Sequence, residues 1–129
     1  MNDLALVLYH KQSTSARLRF ARFGDSIVAA RVAAPAGDGV LAHPGTLTAT
    51  ATDRLGLPAG ALQIDTEFEA DILSPNGTLT VRLAHFTAID PPFDAVASAD
   101  GRFVSITEMR GIPDTERDVL RLVYEHVIG

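Results

Sequence analysis

Pro44-Gly45-Thr46-Leu47-Thr48-Ala49-Thr50-Ala51-Thr52-Asp53-Arg54-Leu55-Gly56-Leu57 is the stretch on which the fold turns. A proline at the opening position costs nothing, because its missing N–H would find no intrahelical partner there, and Gly56 is placed to stop a helix. Leu47, Ala51 and Leu55 recur every four residues and so share one face. The spacing predicts an α-helix over 44–55. Its interior threonines are poor helix formers, so this helix depends on packing against a neighbour rather than on propensity.

Strands are predicted on both sides of it. Upstream, Leu4-Ala5-Leu6-Val7-Leu8-Tyr9 is an apolar run short enough for a strand buried inside a sheet. Leu18 to Phe23 and Ser26 to Val32 flank Gly24-Asp25, a tight-turn dipeptide, and Pro35-Ala36-Gly37-Asp38-Gly39 reads as a loop. Downstream, Leu62 to Ile89 reads as two strands joined at Ser74-Pro75-Asn76-Gly77, where proline presets φ and glycine takes the positive φ that follows. Phe68, Ala70 and Ile72 alternate with Glu67, Glu69 and Asp71, and Leu79, Val81 and Leu83 alternate with Thr80, Arg82 and Ala84. Pairing apolar face with apolar face brings Glu69 to Arg82. Ile89-Asp90-Pro91-Pro92-Phe93-Asp94 is expected to be a loop, because two prolines remove ladder donors. A short strand at Phe103–Ile106 and a helix from Asp114 to Ile128 follow. That helix has Pro113 before it and buries Val119, Leu120, Val123 and Val127.

The chain has 129 residues, 47% of them hydrophobic and 21% charged, which suits one domain over 1–129 with a proper core. No apolar run approaches the ~18 residues of a membrane span. The absence of cysteine excludes disulfides, a thiol nucleophile, zinc ribbons and iron–sulfur clusters. Met1-Asn2-Asp3 lacks the basic start of a signal peptide, so a cytoplasmic location is expected. The net charge of −5 argues against a general nucleic-acid binder. The arginines at 17, 19, 22 and 31 have no interleaved Tyr or Trp to make an RNA platform. No GxSxG, GxGxxG or GxxxxGK[ST] occurs, so triad, dinucleotide and P-loop chemistry lack support.

The order strand, hairpin, glycine-bearing loop, helix closed by Leu55-Gly56-Leu57, long hairpin at Asn76-Gly77, strand and terminal helix resembles the Nudix hydrolase superfamily across nearly the whole chain. Gly37-Asp38-Gly39 before the helix and Phe103-Val104-Ser105-Ile106-Thr107-Glu108-Met109 before the last one add to the likeness. The resemblance implies an α/β (α+β) fold, a mixed sheet packed between helices as an α/β/α sandwich. It also implies a signature, GX5EX7REUXEEXGU, whose clustered glutamates hold divalent cations that bind a diphosphate. Anchored at Gly56-Leu57, the signature puts Pro35 at its first glycine, Leu41 at its first glutamate and Ala49 at the arginine. Thr50 then falls at the next glutamate, and Asp53 and Arg54 at the final pair. One carboxylate remains of four, and Arg54 beside it repels a cation.

The resemblance therefore implies a Nudix-like domain with a degenerate box that binds a nucleotide-like small molecule or a protein without hydrolysing it, and that needs no cofactor. An alternative is a diverged pyrophosphohydrolase in which Asp53, with Glu108 or the acids at 65–71, holds Mg²⁺. A third is a non-catalytic homo-oligomer, most simply a homodimer, paired through an edge strand or the final helix. Arg31, His43 and Arg54 are the candidate ligand-binding residues, because His43 precedes a helix start where backbone N–H groups attract anions. Asp65, Glu67, Glu69 and Asp71 are read as one acidic strand face, either solvated or open to a cation. His10, His85 and His126 show no metal-ligand spacing. The loop at 90–94 can stiffly present Phe93.

Overall fold

A computed structural model describes residues 3–12, 17–33, 44–75 and 77–128. The described elements are β1 (Asp3–Lys11), β2 (Leu18–Phe23), β3 (Val28–Ala33), α1 (Pro44–Leu55), β4 (Leu62–Ser74), β5 (Gly77–Phe86), α2 (Phe93–Ser98), β6 (Gly101–Val104) and α3 (Asp114–Ile128). Both long helices keep the bounds that their periodicity predicts. The strands form one mixed sheet in the order β4-β5-β1-β2-β6, with β3 also paired to β1. The expected α+β architecture, a sheet between helices, is present.

β1 shows why its sequence is an unbroken apolar run. Ala5 and Val7 face one layer and Leu6 and Leu8 the other, and all four are fully buried. A strand covered on both faces has no polar side to display. On one face α3 packs Val119, Leu120 and Val123 against Phe20, Val81, Leu83, Met109 and Ile112. On the other, α1 seats Leu47, Ala51 and Leu55 against Leu6, Leu8, Phe23 and Ala30, with Val96 of α2 alongside. Each buried leucine contributes about 1.5–3 kcal/mol, which offsets the poor propensity of the threonine-rich helix.

The turn chemistry is as expected at two corners. Gly56 at φ 66° closes α1 in a Schellman motif, its N–H donating to the Asp53 carbonyl and that of Leu57 to the Thr52 carbonyl. Gly24-Asp25 makes a two-residue turn sealed by the Phe23–Ser26 bridge. Beyond that bridge β2 and β3 are not partners, and instead lie end to end, antiparallel to the same edge of β1. Glu116 in the first turn of α3 accepts the Ile27 N–H at 2.8 Å and the Ser26 hydroxyl at 3.0 Å, which ties this corner to the helix. The β4–β5 hairpin aligns Glu69 with Arg82, whose side chains approach to 3.8 Å.

Three expectations are corrected. The loop expected at 89–94 gives way to α2 at Phe93, because Pro92 precedes the first helical turn and lacks only an N–H that turn would leave unpaired. The strand expected at 103–106 is Gly101–Val104. The acidic row at 65–71 is not one face. β4 pairs Asp65 with Leu83 but Glu69 with Arg82, so an odd number of residues bulges out between them and reverses which side faces which layer.

Candidate functional site

The last turns of α1 lie where the resemblance places the closing half of the signature. Three threonine hydroxyls fold back onto their own helix: Thr48 donates to the Gly45 carbonyl at 3.1 Å, Thr50 to Thr46 at 2.8 Å and Thr52 to Ala49 at 3.0 Å. Such back-bonding is the usual outlet for a threonine inside a helix. Asp53 is exposed, and its carboxylate meets no hydrogen-bond donor or cation among the described residues. Arg54 turns to the sheet instead. Its guanidinium lies 4.3 Å from the centroid of the Phe23 ring, and Nη1 donates to the Ala29 carbonyl at 2.8 Å. A cation stacked on an aromatic face and bonded to a carbonyl is held in place, worth roughly 1–2 kcal/mol at a partly exposed site.

Arg31 does not join Arg54. It pairs across to Ala5, a residue of the α3-side layer, and its guanidinium grips Asp3 with Nε at 3.0 Å and Nη2 at 2.7 Å. The sheet separates it from α1, so these two expected partners act on different faces. His43 lies outside the described residues, as do Gly37, Asp38 and Gly39.

Glu108 occupies the segment between β6 and α3. Its carboxylate accepts the Ser105 N–H at 3.1 Å and the Ser105 hydroxyl at 3.0 Å. The backbone bond first, then the hydroxyl, and more weakly Arg102 and Arg17, hold this exposed carboxyl below its ordinary pKa. No hydrogen bond or ion pair joins it to Asp53.

The bulge in β4 gives Asp65 a separate role. Its carboxylate accepts the Glu67 N–H at 2.8 Å and contacts His126 Nε2 of α3 at 2.8 Å. Partial burial works to raise the Asp65 pKa, but the Glu67 N–H and then His126 outweigh it and leave the carboxyl lowered. Burial, and then the Asp65 charge, raise the pKa of Tyr9, which stands beside His85 with rings 5.8 Å apart. Glu69 faces Arg82, and Asp71 accepts the Thr80 hydroxyl at 2.9 Å. Among the described residues no group of three His, Asp or Glu side chains converges as metal ligands do.

Sequence reading missed two buried polar side chains. His10 is 1% exposed and contacts the Ala88 carbonyl at 2.8 Å through Nε2, anchoring the chain before α2. Arg22 is 5% exposed and reaches the Gly24 carbonyl at 2.7 Å, the Glu108 carbonyl at 3.3 Å and Asp25 at 3.5 Å. The sequence alone offered it only as one of four arginines, with Arg17, Arg19 and Arg31, in a modest basic zone. The side chain of Phe93, half exposed, stacks edge-on to Phe103 at 5.4 Å with Arg19 over its ring.

Clefts open on the described surface, and two bear on a small ligand. One, of about 300 Å³, is almost wholly apolar and runs from Leu57 to Ala61 against Phe86 and Pro92. The other, of about 450 Å³, lies between the segment after β6 and the start of α3, with Arg110, Arg117 and Arg121 around an apolar floor.

No family model matches the chain, and no curated protein matches it in sequence. Solved structures do match its fold. An Ap4A hydrolase from C. elegans superposes with a TM-score of 0.68 over 98% of this chain and 97% of that one, at 13% identity. A binary complex of a C. elegans Ap4A hydrolase gives 0.63 at 10% identity over 98% of each chain. RenU, a Nudix hydrolase from M. smegmatis, gives 0.57 at 17% identity over 98% of this chain and 87% of its own. The fold is therefore Nudix-like from end to end.

Proposed function

We propose that this Nudix-like domain binds a nucleotide-like anion and does not hydrolyse it. The observation that carries the reading is Arg54. Where the likeness calls for the last metal-binding carboxylate, a permanent cation is clamped between Phe23 and the Ala29 carbonyl. A divalent ion beside it would meet repulsion, one carboxylate from Asp53 and a Thr50 hydroxyl already bonded to its own helix. These residues suit a metal poorly, and no resident cofactor belongs to this reading. The ligand class comes from the neighbours, whose names record hydrolysis of Ap4A by C. elegans proteins and a Nudix hydrolase in M. smegmatis.

The test is turnover beside binding. Purified protein is expected to release no product from Ap4A or ADP in Mg²⁺ or Mn²⁺, while ADP near 100 times its Kd adds ~2.7 kcal/mol of stability. Metal-dependent product that vanishes in Asp53→Ala would overturn the reading. It would favour instead the diverged Mg²⁺-dependent hydrolase, with Asp53 and Glu108 as its acids. That second reading has hydrolases among the structural neighbours in its favour, and the engagement of Glu108 by Ser105 against it. A homodimer also belongs to the proposal, pairing through α3, where Leu122, Tyr124 and Ile128 remain exposed. A light-scattering mass of one chain refutes it. A cytoplasmic location goes with the same reading. No helix among the described residues is long and apolar enough to cross a membrane.

A further inference from the structure

We infer that the cleft between the 105–113 segment and α3 is the anion-binding site, and that it takes a phosphorylated ligand of nucleotide size. The inference deepens the binding reading above and rests on it. The cationic residues first expected to hold an anion are already engaged, Arg31 by Asp3 and Arg54 by Phe23 and Ala29. Charge is left over elsewhere. Arg117 and Arg121 stand one helical turn apart on α3, and Arg110 closes the same concavity from the opposite segment. Among the described residues Arg110 and Arg121 donate no hydrogen bond and meet no carboxylate within 4 Å, although Asp114 and Asp118 lie on the same helix. Three like charges around one hollow repel each other, and an anion with several oxygens relieves that repulsion through bidentate guanidinium bonds.

The cleft is also built rather than incidental. Its floor is Leu120 at 2% exposure and Met109 at 6%, with half-buried Ile106 beside them. The wall carrying Arg110 is held from below: Arg22 donates to the Glu108 carbonyl, Arg117 donates to the Met109 carbonyl at 3.3 Å, and Ile112 is buried. Gly111, at φ 90°, turns the chain directly over the Arg22 guanidinium, where a Cβ would come within 3.2 Å of Nη2. A wall fixed before binding avoids an ordering cost when the ligand arrives. The volume, about 450 Å³, falls in the usual ~300–1,000 Å³ range of small-ligand pockets. Phosphate oxygens meet the arginines, and the flat, less polar body of the ligand lies on Ile106 and Leu120.

Calorimetric titration of the full chain with ADP, pyrophosphate and adenosine tests this, using wild type, R110A/R121A, each of its single variants, and Arg102→Ala as a control that removes, like each single variant, one charge, but outside the cleft. ADP is expected to bind wild type and the control alike and to lose at least tenfold in affinity in R110A/R121A. Pyrophosphate should compete with it, and adenosine alone should not bind. Both replaced arginines are exposed and unpaired, so an unchanged ligand-free Tm confirms that the variant folds. If ADP binds wild type and R110A/R121A equally, the cleft is wrong while the binding reading stands. If adenosine binds as well as ADP, the anion assignment is wrong. If nothing binds wild type, the cleft and the nucleotide reading fall together.

Discussion

On the α1 side of the sheet the helix contributes Leu47, Ala51 and Leu55 to a layer rich in alanines, and its one cation, Arg54, is spent inside the fold on Phe23 and Ala29. On the α3 side the layer is built from larger side chains, Phe20, Met109, Ile112 and Leu120 among them, and while Asp3 holds Arg31 there, Arg110 and Arg121 at its margin meet no carboxylate among the described residues. The difference bears on where the proposed ligand would bind, since α1 carries one acidic and one basic side chain and three of its threonines bond back to their own helix. A guanidinium already paired within the protein has little left for a ligand. One left unpaired around a preformed hollow retains nearly all of its attraction.

Four substitutions sharpen or break this contrast. The largest effect is expected from Leu120→Ala, which opens a cavity in the bulkier layer and should cost about 3 kcal/mol in urea unfolding. A loss near that of a surface change would mean that α3 is not the anchor it resembles. Next is Gly101→Ala, where an added Cβ would lie 2.7 Å from two Phe23 ring carbons and 2.9 Å from Val96. Overpacking the α1-side layer in this way should cost ~1–3 kcal/mol. It should also disturb the ring on which Arg54 rests, visible as faster amide exchange at the end of α1. Third, Arg54→Ala should lose about 1 kcal/mol and leave ADP affinity unchanged. A drop in affinity would move the binding site back to the α1 side.

The smallest effect is a pH dependence. The Asp65 carboxyl is lowered in the folded state, so its contribution is present above the unfolded value of about 3.9 and is lost as pH falls through the folded one. Asp65→Asn should therefore cost up to ~1 kcal/mol at pH 7, with the gap to wild type closing below about pH 4. Parallel stability profiles from pH 7 to 3 would show that the contact between β4 and His126 contributes nothing to holding α3.

Much of the frame was legible because the signals were local. The Pro44 start, the Gly56 stop and the four-residue spacing of Leu47, Ala51 and Leu55 are contained within one helix. The pairing of Glu69 with Arg82 follows from alternation on either side of one turn. The acidic row was misread for an equally physical reason. A bulge that expels an odd number of residues leaves hydropathy alternation nearly intact while reversing the faces, so Asp65 meets His126 and Glu69 does not. α2 was hidden by the two prolines that precede it. The burial of Arg22 has no local mark, since it arises only where the segment after β6 folds over β2.

By itself the amino-acid order determined the two long helices, the doubly buried β1 and the shortage of carboxylates on α1, because each depends on neighbours within a turn or a hairpin, and composition alone excluded thiol chemistry. Only the tertiary structure decided that Arg31 and Arg54 stand on opposite faces and that Arg110, Arg117 and Arg121 surround one hollow. Which charges cancel and which remain is set by distances between segments far apart in the chain, and Coulomb attraction depends on those distances rather than on sequence spacing.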